Sequence, residues 1–148
     1  MDERDCGVAA LAMVLDYYKT HLSLAKLREI AKTDMEGTTA LGIVKAADSL
    51  GFDTMPIQAD LSLFEKKDLP YPFIAHVIKE GKFPHYYVVY GMKRDKLLIA
   101  DPDNTVGKTK MTTTHFDAEW TGVAIFIAPN ATYKPTKEKN AHWDRLFQ

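Results

Sequence analysis

An α+β fold follows from three features of this sequence. The first third carries apolar residues at helical spacing, the rest breaks into short β-branched and aromatic runs, and Gly, Pro and Asp bound those runs. Helices first and strands afterwards predict N-terminal helices packed on a C-terminal antiparallel sheet. At 148 residues, 46% hydrophobic and 26% charged, the chain suits one domain with a substantial core.

From about Cys6 to Lys19 the residues are apolar almost all round, which predicts a central helix packed on several sides, with Asp5 as its N-cap. Ser23 caps a second helix, "SLAKLREIAK", in which Leu24, Leu27 and Ile30 recur at helical spacing. A third, "TALGIVKAADSLG", begins after Thr38 and stops at Gly51, so the helical part covers about residues 5–51. Over residues 52–128, "FDTMPIQ", "PFIAHVI", "HYYVVYG", "KLLIAD" and "GVAIFIA" read as strands. "LSLFEKK" and "TTHFDAEW" read as single helical turns between them. The domain is expected to end near residue 133, with the polar, Pro-containing stretch 134–148 as a linker or tail.

Composition removes several function classes. A formal charge of −1 argues against nucleic acid as a partner. One cysteine excludes an internal disulfide framework and a multi-cysteine zinc site, and it suits a reducing compartment. The longest apolar run, "GVAALAMVL", falls short of the ~20 residues of a membrane span and lacks the basic start of a signal peptide. The expectation is a soluble, cytosolic domain.

The lone cysteine, Cys6, carries the main functional question. A single Cys is ordinarily a small core residue. Here it falls in the first turn of a helix, where unpaired amides and the dipole favour a thiolate. Gly7 follows, which would leave the backbone open to a substrate, and the polar "DERD" suggests an exposed entry. Asp5 works against a thiolate, so a cationic partner is required, and histidine is the natural one.

Of the five histidines, His21, His115 and His142 read as solvated surface, and His76 as a satisfied, half-buried strand residue. His85 begins "HYYVVYGMKRDKLLIAD", a hairpin with its turn in "GMKRD". With a loop over Met92–Arg94, Gly91 faces Asp95 and, counting outward, His85 faces Asp101. A two-residue loop would pair His85 with Pro102 instead. Asp101 also fits plain turn chemistry in "DPDN", and a zinc site built on His85 and Asp101 lacks any spacing motif.

"DERDCGVAALAMVLDYY", "LREIAKTDMEGTTALGIVKAADSLGF", "PFIAHVIKEGKFPHYYVVYG", "IADPD" and "EWTGVAIFIAP", in this order, resemble the N-terminal peptidase domain of bacteriocin-type ABC transporters, above all those of streptococcal competence peptides. The similarity runs to about Tyr133. It implies a papain-like cysteine protease fold and cleavage of a leader peptide after a Gly-Gly pair, coupled to export of the released peptide. It implies Cys6 as nucleophile, His85 as general acid/base and Asp101 as the residue orienting the histidine. The oxyanion hole would use the Cys6 backbone amide and a Gln six residues before the cysteine. That position precedes Met1, and the expectation is that the Gln belongs to a longer chain.

The resemblance further implies a leader-bearing precursor bound as an amphipathic helix, and membrane and nucleotide-binding domains of the same transporter as partners. No cofactor is expected for the peptidase itself, ATP being used by the separate nucleotide-binding domain. The domain would lie on the cytoplasmic face of the bacterial membrane and be monomeric in isolation. Met13, Tyr17 and Tyr18 are candidates for the leader-binding patch, with core packing as the competing reading. A leader-binding domain that does not cut, and an acyl transferase or amidase using the same three residues, are the rival functions.

Overall fold

The computed structural model describes residues 5–32, 38–103 and 107–130. His142 and the expected linker over 134–148 lie outside them. Three helices come first: α1 (Cys6–Tyr17), α2 (Leu24–Ala31) and α3 (Ala40–Ser49). Six strands follow: β1 (Phe52–Gln58), β2 (Phe73–Lys79), β3 (Phe83–Lys93), β4 (Lys96–Ala100), β5 (Lys108–Thr112) and β6 (Trp120–Pro129). A single 3-10 turn (Leu61–Glu65) precedes β2, and α4 (Thr113–Glu119) precedes β6. The strands form one antiparallel sheet in the order β1-β6-β2-β3-β4-β5. No helix among the described residues is long and apolar enough to cross a membrane.

Local chemistry accounts for most of the helix ends. The Ser23 hydroxyl accepts from the Lys26 amide at 3.1 Å, and the Thr39 hydroxyl accepts from Gly42 at 3.0 Å. Gly51, at φ 92°, turns the chain out of α3 and into β1. Asp5 departs from expectation. It stands at the N-cap position of α1 but makes no side-chain capping bond. Its carboxylate reaches instead to the Arg28 guanidinium of α2, with contacts of 2.6 and 2.9 Å. A charged, two-pronged partner outcompetes a neutral amide for a carboxylate.

The sheet is covered on both faces. On one, Val8, Leu11, Val14 and Leu15 of α1 pack with Leu27, Ile43, Ile74, Tyr86, Val88, Ile125 and Ile127. On the other, Phe73, Val77, Tyr87, Val89, Leu97 and Ile99 pack with Phe116 of α4 and Trp120. Neighbouring residues of β3 alternate between these clusters, as the two-residue period of a strand requires. Each fully buried Leu, Ile, Val or Phe contributes about 1.5–3 kcal/mol by leaving water. α1 is buried nearly all round because α2, α3 and the sheet surround it.

The β3–β4 hairpin differs from its expected register. Lys93 pairs with Lys96, which leaves a two-residue loop at Arg94–Asp95, with Arg94 at φ 61°. The pairing then slips between Val89 and Gly91, so that Tyr90 is an extra, unpaired residue of β3. Beyond this bulge Val89 faces Ile99 and Val88 faces Ala100. Continuing the count, His85 stands opposite Asp103 rather than Asp101.

Candidate active site

Three segments bring the candidate residues together. Cys6 opens α1, its thiol is free, and the residue is only 7% exposed. The first-turn amides of a helix have no partner within it, and the Cys6 amide is among them. Gly7 leaves no gap for a substrate, contrary to expectation. A Cβ there would meet Thr38 Cβ at 2.9 Å and the Tyr86 ring at 3.4 Å, so the missing side chain admits neighbouring protein. Nor is Asp5 an exposed entry, since it is 6% exposed and paired with Arg28.

His85 lies near the start of β3 and is 4% exposed. It pairs with Val77 and alternates with Tyr87 and Val89, on the face away from α1. Asp101 follows the end of β4. Two positions off direct opposition, it still shares that face, because same-face neighbours along a strand lie two residues apart. His85 Nε2 and Asp101 Oδ1 are 2.6 Å apart. The His85 imidazole also hydrogen-bonds with the Cys6 side chain. The structure therefore joins all three residues, Asp101 arriving by a diagonal approach and not by direct pairing. Without the Tyr90 bulge, the register of the hairpin tip would turn Asp101 to the other face.

Electrostatics bind the group. Burial alone would lower the His85 pKa. Hydrogen bonds and charge from Asp101 and Cys6 outweigh it and raise the value from an ordinary 6.5 to about 9. Burial pushes Asp101 the other way, but bonds from His85, Lys79 and the Asp103 amide hold its carboxyl well below the usual carboxylate range.

No local pattern in the sequence points to the surrounding residues. Lys79 Nζ lies 2.8 Å from Asp101 Oδ2, and the Asp103 amide donates to Asp101 Oδ1 at 2.9 Å. The Asp103 carboxylate is 3.7 Å from His85 Nδ1. Tyr87 stacks edge-on to His85 at 5.8 Å and donates its hydroxyl to Glu119 at 2.7 Å. Lys79 and Asp103 would have emerged from correct strand registers. Arg28 lies 23 residues from its partner Asp5, and nothing local links them.

The other candidates separate cleanly. His21 is exposed and paired with Asp16 at 2.7 Å, and His115 is exposed near Glu119 at 3.5 Å. His76 is half-buried with Nδ1 3.1 Å from the Thr121 hydroxyl, and burial lowers its pKa. Tyr17 is 57% exposed, whereas Met13 and Tyr18 pack partly buried on the core, which suits the packing reading for those two. His85, Asp101 and Asp103 bring ligand atoms within 4.8 Å of one another. The Lys79 ammonium lies beside Asp101, and His85 is also engaged with Cys6.

Chemically, a thiol beside an imidazole that is oriented by a carboxylate makes an activated nucleophile with its own acid and base. Comparison with known proteins agrees in kind. The Peptidase C39 family profile matches residues 1–132. The mesentericin-Y105 transport/processing ATP-binding protein MesD of Leuconostoc mesenteroides is 85% identical over 139 residues, covering 94% of this chain and 19% of that protein. The chain thus spans 19% of the length of this curated relative. The solved peptidase domain of Streptococcus ComA, a bi-functional ABC transporter involved in quorum sensing, is 55% identical with a TM-score of 0.83, covering 88% of this chain and 95% of that one. A double glycine motif protease from an AMS/PCAT transporter, solved with its leader peptide, is 32% identical with a TM-score of 0.77 and covers 88% of each chain.

Proposed function

The chain belongs to the peptidase C39 family of cysteine peptidases and has their papain-like fold, and from that premise we propose that it removes the leader of a secreted peptide precursor by cutting after a Gly-Gly pair. The released peptide would be exported by an ABC transporter of which this domain is the N-terminal part. The observation that carries the reading is the His85 imidazole bonded at once to the Cys6 side chain and, at 2.6 Å, to Asp101.

His85 takes the proton of Cys6, giving a thiolate–imidazolium pair. Asp101 fixes the imidazole with Nε2 toward its own Oδ1 and stabilises the charge that forms. The sulfur attacks the carbonyl of the second leader glycine, and His85 then protonates the departing amine. Water hydrolyses the thioester with His85 again as base. The Cys6 amide, at the positive end of α1, receives the developing oxyanion. Losing a donor to the oxyanion costs roughly 10²–10³ in kcat.

A narrow groove without room for a Cβ would select glycine. The leader would dock as an amphipathic helix on apolar surface of the domain. The partners are the membrane and nucleotide-binding domains of the same transporter, with ATP consumed there and the peptidase facing the cytoplasm. The test is mass spectrometry of a synthetic Gly-Gly precursor incubated with the chain, alongside Cys6→Ala. A single cut after the second glycine, abolished in the variant, is expected. Intact precursor that stays bound would instead assign leader capture without cleavage.

A further inference from the structure

We propose that Lys79 is a positioning residue for the peptidase reaction, clamping Asp101 so that one carboxylate oxygen stays aimed at His85; this rests on the cysteine-peptidase reading above. Nothing in the chemistry of a Cys-His-Asp triad requires a lysine. Its case comes from how Asp101 is held.

Asp101 sits in a turn just beyond β4, where a side chain has freedom to swing into solvent. Both of its oxygens are taken. Oδ1 meets His85 Nε2 at 2.6 Å and the Asp103 amide at 2.9 Å, and Oδ2 meets Lys79 Nζ at 2.8 Å. These donors come from β3, the turn and β2. A carboxylate held at both oxygens from separate elements cannot rotate about its Cβ–Cγ bond without losing a charge-assisted bond. Lys79 can serve because β2 places it two residues beyond Val77, the partner of His85, and hence on the same face.

Lys79 is itself steadied. Its ammonium lies 5.9 Å from the Tyr87 ring centroid, and the Tyr87 hydroxyl is tied to Glu119 at 2.7 Å. Asp101, Asp103 and Glu119 are the charged groups that face it. The lysine has a second, electrostatic consequence. A cation on Oδ2 offsets part of the carboxylate charge and so moderates how strongly Asp101, bonded at Nε2, stabilises the His85 imidazolium. The imidazolium gives its other proton, on Nδ1, to the departing amine, and one stabilised too strongly is a poor acid.

The first readout needs no substrate. An anionic alkylating agent, iodoacetate, reacts with Cys6 fastest while His85 is protonated, so the descending limb of its rate-against-pH profile reports loss of the imidazolium proton. In Lys79→Met that limb is expected to move up by about half a unit to one unit. Cleavage of the Gly-Gly precursor should fall about tenfold in kcat/KM. Lys79→Arg should restore both, and Lys79→Gln gives the same shift should Met disturb folding, as thermal unfolding would show. A limb that stays put in both neutral variants overturns the proposal, whatever the rate does, and a limb that moves down supports it, because an Asp101 freed of its clamp has then turned away from His85. A wild-type chain that shows the limb but cuts no precursor, with the shift present in the Lys79 variants, would sink the peptidase reading and leave the lysine clamp standing.

Discussion

The two faces of the sheet grip the site by different physics. On the α1 face, Cys6 is anchored by dry packing: Val8, Leu11, Val14 and Leu15 lie in one apolar cluster with Tyr86 and Val88 of the sheet. On the opposite face, His85, Asp101 and Lys79 are held by short charge-assisted bonds beside the aromatic ring of Tyr87. Apolar contact is indifferent to pH, and it fixes where the sulfur stands. The charged contacts respond to pH, and they fix which way the imidazole turns and whether it keeps its proton. A fault on one side should therefore look unlike a fault on the other.

The sharpest way to separate them is Asp101→Asn. It leaves the apolar cluster intact, so folding should survive, while cleavage should fall by about 10²–10⁴ in kcat. The descending limb of the alkylation profile should drop from about 9 toward the ordinary 6.5. A limb that holds near 9 would mean that the charged side does not set the His85 proton.

Breaking the dry side should give the reverse. In Gly7→Ala the new Cβ has Thr38 Cβ at 2.9 Å, and that atom is no loose side-chain end. Strain of about 1–3 kcal/mol is expected in urea unfolding, with the alkylation limb of the folded fraction unmoved. Unchanged stability would show that the α1 face yields more easily than its packing implies.

The smallest effect is the pH dependence of stability itself. The raised His85 pKa gives a contribution fully present below 6.5 and lost as pH rises through about 9. The lowered Asp101 pKa gives one present above its ordinary 3.8 and lost as pH falls through its folded value. The stability margin of the wild type over Asp101→Asn should thus be widest between about pH 4 and 6.5, and it should narrow on both sides. Above pH 9 only the Lys79 share remains. Urea midpoints of both proteins from pH 3 to 10 check this, and a flat difference would rule it out.

Most of this architecture was legible because the elements with a buried face advertise it. β1 was read to the residue, and α2 and α3 were announced by their caps and spacing. β5 went unread, since "KTKMT" is an edge strand with no apolar face to betray it. The three site residues were readable one by one, but how they meet was not. The turn places Arg94 at positive φ, where Gly or Asn would have signalled it, and a bulge at Tyr90 leaves no mark in the sequence. Asp5 misled for a further reason: its partner Arg28 belongs to another helix. Tertiary partners decide such side chains, and local pattern does not record them.

That bulge makes the hairpin asymmetric toward lost residues. Between the turn and the site, β3 carries one residue more than β4, and Tyr90 is the surplus. Deleting Tyr90 would bring the two arms into step while keeping Val89 opposite Ile99 and Asp101 on the His85 face. Deleting one residue of β4 would throw the arms further out of step. Asp101 would then either point to the other side or slide one pair further from His85. A single lost codon thus spares the register of the site on one arm of the hairpin and destroys it on the other.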